Sequence, residues 1–188
     1  MKLNLGSGNN KLKGYVNVDM FEQSNPDFLM DLELTPWPWE DNSVDEVVMS
    51  HIIEHIGQTT AIYFNVIKEL YRVCKKDALI HVQVPHWNHD NFHHDPTHVR
   101  KITPIGLAMF SKSRNILDLK NKGAESKLGL MLDVDFEVVK VNFYLTGHWL
   151  KIATDNKWTD ADFEYHARTF NNVCETIDIT LKVVKLGE

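Results

Sequence analysis

Two glycine-containing stretches near the start of the chain constrain the fold more than any other feature. They are Leu3-Asn4-Leu5-Gly6-Ser7-Gly8 and Gly14-Tyr15-Val16-Asn17-Val18-Asp19. Together they predict a buried strand that runs into a Gly-x-Gly turn, a short link, and a second strand that ends on a carboxylate. Glycine in the turn lets the backbone approach a ligand, and the acid can accept hydrogen bonds from both hydroxyls of a ribose. The pattern therefore predicts a nucleotide-type site at the carboxyl end of a parallel sheet.

The spacing between these stretches distinguishes one kind of nucleotide from another. A dinucleotide fingerprint has a third glycine, a full crossover helix and an acid about 20 residues further on. Here Lys11 occupies the place of the third glycine, and only ten residues separate Gly8 from Asp19, too few for a long helix and a strand. A ligand with a ribose but no pyrophosphate fits this spacing better. We therefore expect S-adenosylmethionine.

The composition fits one domain without cross-links. With 188 residues the chain can bury a core of its own, so we expect a single domain over 1–188. Cys74 and Cys174 are interpreted as structural thiols in a reducing compartment. The chain enters a strand at once and has no apolar run of membrane-spanning length, which predicts a cytoplasmic protein without membrane contact. A net charge of −6 disfavours a general nucleic-acid binder, although a local basic groove is compatible with it.

Short strands that alternate with helices predict an α/β sandwich with a mainly parallel sheet. The clearest helix covers 58–74, where Thr59 or Thr60 can cap the start and apolar side chains recur at helical spacing. Segment 119–133 is predicted to be a surface loop. The predicted strands are 2–6, 15–19, 27–32, 44–50, 78–84, 134–145 and 174–186, and the predicted helices are 58–74, 104–118 and 160–171.

Four further blocks follow the glycine turn in order. They are Asp31-Leu32, Pro36-Trp37-Pro38-Trp39-Glu40-Asp41-Asn42-Ser43-Val44-Asp45, Ser50-His51-Ile52-Ile53-Glu54-His55-Ile56 and Glu69-Leu70-Tyr71-Arg72-Val73. Over roughly the first 110 residues, the chain resembles a compact, type 11-like subfamily of class I S-adenosylmethionine-dependent methyltransferases. The resemblance implies a Rossmann-like three-layer sandwich whose sheet has about seven strands, mainly parallel, with an antiparallel last strand.

The resemblance also implies a cofactor pocket. Gly6 and Gly8 would border the methionine end of the cofactor, Asp19 would hold the ribose, and Asp31 with Leu32 would flank the adenine. Asn4 departs from the pattern, because most members carry an acid that engages the cofactor's amino group. Its side-chain carbonyl remains an acceptor, so we expect binding without the charge attraction. The implied cofactor-binding set is Asn4, Gly6, Ser7, Gly8, Asp19, Asp31, Leu32 and Ser50.

The Trp37 and Trp39 pair has two interpretations. The rings could close over the adenine or pack at the edge of the sheet. Packing is favoured, because aromatic side chains usually contribute their area to cores.

Methyl transfer needs a nucleophile aligned with the methyl carbon and, for a hydroxyl or a protonated amine, a base. Two strand ends supply candidate bases. His51 follows the fourth predicted strand and His86 follows the fifth. These strands are neighbours in the sheet of the family, so both histidines are expected in one crevice as catalytic residues.

The chain between His81 and His98 holds six of the ten histidines. His51, Glu54 and His55 share one face if a helix begins there, which suggests a metal site. The arrangement is similar to that of small-RNA 2′-hydroxyl methyltransferases and ubiquinone-pathway O-methyltransferases, which implies His98 as fourth ligand, with His94 next. Because His51 stands in place of a glutamate, the preference shifts from Mg²⁺ toward Mn²⁺, Fe²⁺, Co²⁺ or Zn²⁺. Two alternatives stay open: the histidines act without metal, or they are structural.

The acceptor of the methyl group is less constrained. DNA methyltransferases that act on amino groups carry a characteristic tetrapeptide after the fourth strand, and this chain has Met49-Ser50-His51 there instead. We therefore do not expect methylation of an adenine or cytosine amino group. We expect transfer to oxygen or nitrogen of a small or medium polar acceptor, with a glycan sugar as one candidate, under an acceptor-side insert at about 86–133. The oligomeric state is not constrained.

Two other functions stay open. A metal-assisted RNA 2′-O-methyltransferase would need a basic track near the histidine loop. The chain could instead be a catalytically idle partner subunit that binds the cofactor. Asn4 supports this hypothesis, because most members of the family carry an acid at that position. The candidate basic residues are Lys101, Lys112, Arg114, Lys120, Lys122 and Lys127.

Overall fold

A computed structural model describes residues 1–185, which form a seven-stranded sheet with helices packed against it. The strands are β1 Lys2–Leu5, β2 Val16–Asp19, β3 Phe28–Leu29, β4 Val44–Ser50, β5 Cys74–Pro85, β6 Phe136–Leu145 and β7 Cys174–Val183. The helices are α1 Thr60–Val73, α2 Asp90–His94, α3 Pro104–Ala108, α4 Lys112–Lys120, α5 Leu128–Leu132, α6 Gly147–Asp155 and α7 Asp160–Thr169, with a 3₁₀ turn at Glu22–Ser24. Within residues 1–185, no helix combines the length and the apolar character needed to cross a membrane.

The sheet has the strand order β3-β2-β1-β4-β5-β7-β6. Strands β1 to β5 pair in parallel, and β7 is antiparallel to both β5 and β6. This arrangement confirms the expected fold class. The strand order reverses direction at β1, which pairs with β2 on one side and β4 on the other. In open parallel sheets, ligands bind outside the carboxyl ends of the strands at such a reversal.

The core lies on one face of the sheet. Alternate residues of the central strands are buried there, and α1 packs its apolar stripe against them. The Thr59 hydroxyl caps α1 by accepting a hydrogen bond from the Ile62 N–H, as the sequence predicts. The residues that α1 buries are Tyr63, Val66, Ile67, Leu70 and Val73.

The opposite face of β4, β5 and β7 is polar and partly exposed. A chain of hydrogen bonds runs across it: Ser50 Oγ donates to Gln83 Oε1 (3.0 Å), Gln83 Nε2 to Asp178 Oδ1 (2.9 Å), and the Tyr144 hydroxyl to Asp178 Oδ2 (2.7 Å). Parallel strands are usually apolar on both faces because crossover helices cover both. Here residues 6–15 form turns rather than a helix, as their number predicts. The hydrogen-bonded network therefore occupies a face where helices are normally packed.

The ends of several strands differ from the prediction: β5 begins at Cys74, four residues earlier than expected, and β6 begins at Phe136, two residues later. β3 is two residues long, whereas 27–32 was expected, because the chain turns after it and Asp31 Oδ1 accepts the Glu33 N–H (2.9 Å). β7 ends at Val183, and residue 186 of the predicted strand lies outside the described residues.

The predicted helix 104–118 is two helices, α3 and α4. The Met109 carbonyl accepts the Gly129 N–H (3.1 Å) and the Phe110 carbonyl accepts the Phe136 N–H (3.2 Å), so these groups are not available to continue a helix. Ser111 then caps α4. The prediction of a surface loop at 119–133 is partly wrong, because this segment contains the helix α5. The sequence analysis also missed α2 and α6.

Gly129 permits the close contact between α5 and the α3–α4 junction. A Cβ at this position would lie 2.8 Å from the Phe110 carbonyl oxygen and 2.9 Å from the Lys112 nitrogen. We predict that Gly129→Ala lowers the free energy of unfolding by about 1–3 kcal/mol, measured by urea denaturation. Gly147→Ala is the control, because a Cβ on Gly147 meets no described atom within 4 Å. It should be neutral or stabilise by up to about 1 kcal/mol. Equal effects of the two substitutions would contradict this account.

Candidate functional site

A crevice of about 590 Å³ opens at the reversal of strand order, where the carboxyl ends of β1 and β4 separate. Its volume lies within the range of small-molecule sites. The residues along it come from the ends of four neighbouring strands and from one loop of the insert. They include Gly6, Gly8, Asp19, Met30, Asp31, Leu32, His51, Ile52, His55 and Thr97.

The glycine turn after β1 forms one wall of the crevice. Gly6 and Gly8 have φ angles of +67° and +48°, a region that favours glycine. A Cβ on Gly6 would lie 2.5 Å from Cγ1 of Ile52 on the opposite wall. A Cβ on Gly8 would meet no described atom within 4 Å, so the space beside the second glycine is open. The crevice is therefore narrow beside Gly6 and open beside Gly8.

Asp19 ends β2 with a buried carboxylate. Its Oδ2 accepts the Gly8 N–H (2.7 Å) and its Oδ1 accepts the Phe21 N–H (2.9 Å). A carboxylate has about four acceptor sites, so each oxygen can accept a further hydrogen bond. The side chain is therefore held in place while it can still bind two hydroxyls of a ligand. Asp31 and Leu32 lie further along the same crevice.

Asn4, Ser7 and Ser50 are predicted cofactor residues that do not line the crevice. Asn4 Nδ2 donates to the Asn10 carbonyl and to Asn17 Oδ1 (both 2.9 Å), because its side chain leaves β1 on the face opposite Leu3 and Leu5. Ser50 Oγ belongs to the polar network of that same face. Ser7 is buried within the turn. These three side chains hold the turn and the sheet, and this geometry does not support direct cofactor contacts for Asn4 or Ser50.

His51 lines the crevice directly after β4. It has a φ of 53°, uncommon for a residue with a side chain, and its N–H donates to the Gln83 carbonyl (2.9 Å). The nearby Glu54 carboxylate, with Oε1 3.5 Å from Nδ1, raises the pKa of His51 above its usual value, while partial burial acts in the opposite direction. The imidazole is half exposed and available to a ligand in the crevice.

His86 does not join His51 in the crevice, contrary to expectation. It is 2% exposed, its ring stacks on Trp87 (4.0 Å between centroids), and its Nδ1 accepts the Asn88 N–H. The reason is that the chain continues to pair with β7 after Pro85, through the His86 N–H and the Glu175 carbonyl (2.9 Å). Burial lowers the pKa of His86 to about 4, and His89 adds a smaller effect. This environment is that of a packed neutral histidine, not of a catalytic base.

Three of the four predicted metal ligands converge. Glu54, His55 and His98 each place one ligand atom within 4.8 Å of the others. His51 approaches Glu54 but is not part of this group. The sequence analysis missed Thr97, which lines the crevice and contacts His55 Nδ1 (2.8 Å). The Asp95-Pro96-Thr97-His98 turn was the available signal for it.

The tryptophan pair and the cysteines are structural. Trp37 and Trp39 are buried in the core, which confirms the packing interpretation, and Trp37 Nε1 donates to the Leu32 carbonyl (3.0 Å). Cys74 and Cys174 are buried free thiols, and burial raises their pKa to about 12 and about 11. Both are therefore protonated at neutral pH.

Solved structures with the same architecture identify the fold. An S-adenosylmethionine-dependent methyltransferase from Archaeoglobus fulgidus matches with a TM-score of 0.61 and 19% identity, over 96% of this chain and 85% of that one. The fold is that of the class I methyltransferases. A possible histamine N-methyltransferase from Thermotoga maritima matches with a TM-score of 0.53 and 14% identity, over 98% of this chain and 81% of that one.

A third class I structure was solved with ligands. The 1,6-didemethyltoxoflavin-N1-methyltransferase from Burkholderia thailandensis, with bound 1,6-didemethyltoxoflavin and S-adenosylhomocysteine, matches with a TM-score of 0.51 and 10% identity, over 98% of this chain and 71% of that one. No protein-family model matches the sequence. No curated protein matches it either.

The low pKa of His86 predicts a pH dependence of stability. Between about pH 4 and its unfolded value near 6.5, the unfolded chain binds a proton that the folded chain does not. Stability should therefore fall as the pH falls through this range, by up to about 1.4 kcal/mol per pH unit from His86 alone. Urea denaturation at pH 7, 6 and 5 should give a smaller decline for His86→Gln than for the wild type. Parallel declines in the two proteins would contradict the assignment.

Proposed function

We propose that the protein is an S-adenosylmethionine-dependent methyltransferase that acts on oxygen or nitrogen of a small or medium polar acceptor, such as a sugar. The observation that carries this proposal is the Asp19 carboxylate. It is buried, held by two backbone N–H groups, and placed at the strand-order reversal of a class I fold. A ribose is the ligand that such an acid receives at the end of the second strand.

The crevice suits the rest of the cofactor. The left-handed Gly6 and Gly8 keep side chains away from the methionine end, and Leu32 offers apolar surface near Asp31 for the adenine. When bound, the cofactor supplies a methyl group activated by its sulfonium. The acceptor atom forms a bond to the methyl carbon as the carbon–sulfur bond breaks, and sulfur keeps that electron pair as a neutral thioether. The proton of the acceptor passes to a base.

His51 is the crevice residue suited to that role. Its imidazole is half exposed, it follows β4 at the reversal, and its Nδ1 lies 3.5 Å from the Glu54 carboxylate. A half-exposed imidazole can present a ring nitrogen to the substrate. The backbone at His51 is left-handed, so the chain turns there and passes between the glycine turn and the insert.

The RNA alternative receives less support from the surface. Three of its six candidate basic residues are in ion pairs: Lys112 with Asp133, Arg114 with Glu125, and Lys127 with Asp118. Paired cations contribute less to a phosphate-binding track than free ones. The idle-subunit alternative stays open, and it predicts cofactor binding without turnover on any acceptor.

The cofactor assignment is tested by Asp19→Asn. An amide cannot accept from both backbone N–H groups and two ribose hydroxyls, so we predict at least about tenfold weaker binding of S-adenosylhomocysteine, measured by titration calorimetry. Glu22→Gln is the matched control, because it removes one negative charge from the exposed turn that follows Asp19. It should bind as the wild type does. Wild-type affinity in folded Asp19→Asn would refute the ribose contact.

The catalytic assignment is tested by His51→Asn, since asparagine tolerates the left-handed backbone but is not a base at neutral pH. We predict that cofactor affinity is kept while turnover falls by about 10²–10⁴-fold. Turnover is followed as S-adenosylhomocysteine release, first in a screen of sugars, polyols and amines and then on the acceptor found. His94→Asn, at an exposed histidine of α2, should keep wild-type turnover. Full activity of His51→Asn would assign the base elsewhere.

A further inference from the structure

We propose that Glu54, His55 and His98 form a binding site for one divalent transition-metal ion in the wall of the crevice. The first observation is the state of Glu54. Its side chain is fully buried, and neither carboxylate oxygen has a hydrogen-bond partner among the described residues. The nearest charged partner, His51 Nδ1, is 3.5 Å from Oε1, too long for a strong hydrogen bond. A buried carboxylate without partners is strongly unfavourable unless a cation compensates it.

The second observation is the hydrogen bonding of the two histidines. Thr97 Oγ1 donates its proton to Asp95 Oδ1 (2.6 Å), so it can only accept from His55 Nδ1, 2.8 Å away. The Phe92 carbonyl likewise can only accept from His98 Nδ1 (2.8 Å). Each neutral ring then carries its hydrogen on Nδ1 and has an unprotonated Nε2. Histidines that bind metals are fixed in this way, with the second nitrogen donating to an oxygen.

The third observation is that the fold holds the ligand-bearing segments against each other. The His55 and His98 rings lie 4.5 Å apart, and Phe92 stacks on His98 at 5.2 Å. The N–H groups of Val99 and Arg100 both donate to the Glu54 carbonyl (3.0 and 3.2 Å), which ties the His98 loop to Glu54. The ligand atoms, all within 4.8 Å of one another, therefore come from two segments that the fold holds together.

The donor set indicates the class of ion. Two imidazole nitrogens and one carboxylate suit Zn²⁺, Co²⁺, Fe²⁺ or Mn²⁺ better than Mg²⁺ or Ca²⁺, which prefer oxygen ligands. Three protein ligands leave at least one coordination position for another molecule, as in catalytic zinc sites. Because His55 and Thr97 also line the crevice, a ligand there can reach that position.

The site has a role that rests on the proposed function. An oxygen of the acceptor would complete the coordination, and a Lewis acid favours the deprotonated form of a bound hydroxyl. A metal ion at this position would favour hydroxyl-bearing acceptors over amines. The metal site itself, however, depends only on Glu54, His55 and His98, and it can be tested without any acceptor.

The test titrates chelator-treated protein with Zn²⁺ by calorimetry and with Co²⁺ by visible absorption. We expect the protein to bind one equivalent of each ion. Bound Co²⁺ should give visible absorption bands that arise from its coordination by protein ligands. His55→Ala and His98→Ala should lose this binding, and Glu54→Gln should lose it while keeping the size of the side chain. Thr97→Val should weaken Zn²⁺ binding by about 10-fold to 100-fold, because it removes the acceptor of His55 Nδ1. His94→Ala is the control and should bind as the wild type does.

The proposal is overturned if the wild type binds no ion, if His55→Ala and His98→Ala both retain it, or if His94→Ala loses it equally. Circular dichroism verifies that each variant is folded, and the two histidine variants keep the test decisive if Glu54→Gln unfolds. S-adenosylhomocysteine binding is measured on the same samples. Cofactor binding without metal binding refutes the metal site alone, and metal binding without cofactor binding refutes the proposed function alone.

Discussion

The short link between β1 and β2 is the constraint on which much of the molecule depends. Ten residues connect Gly8 to Asp19, so the link makes turns instead of a helix, and the Gly8 N–H comes to lie on the Asp19 carboxylate at 2.7 Å. Because this link contains no helix, one face of the sheet lacks the helical cover that parallel sheets usually have. That face is occupied by side chains that bond to each other, such as Gln83 and Asp178. The contact between Gly8 and Asp19 and the polar face of the sheet thus both follow from the short link.

The opposite wall of the crevice is built differently. After β4 the chain places His51 in the crevice and Glu54 in the interior, within three residues of each other. The insert then closes on Glu54 through backbone hydrogen bonds from Val99 and Arg100. The proposed methyl transfer mainly requires alignment and a destination for a proton, and this wall offers it the half-exposed His51 imidazole close to a buried carboxylate.

Local patterns in the sequence predict those parts of the structure that local chemistry determines. The capped apolar stripe of α1, the glycine turn and the acid at Asp19 all follow from residues within one segment. The break between α3 and α4 does not, because it depends on N–H groups of Gly129 and Phe136, far along the chain. At the site, spacing indicated Glu54 and His55 as candidates, and the resemblance added His98. Neither revealed that His86 would be stacked on Trp87, or that Asn4 would bond to Asn17.

The contact between Gly6 and Ile52 has a consequence for communication across the crevice. A Cβ on Gly6 would have no room between the glycine turn that lines the crevice and the segment that leads from His51 to Glu54. A movement of the turn that accompanies ligand binding must therefore displace Ile52, and with it the residues on either side. Two ligands bound on the two walls are then thermodynamically coupled, and each changes the affinity of the other by the same factor.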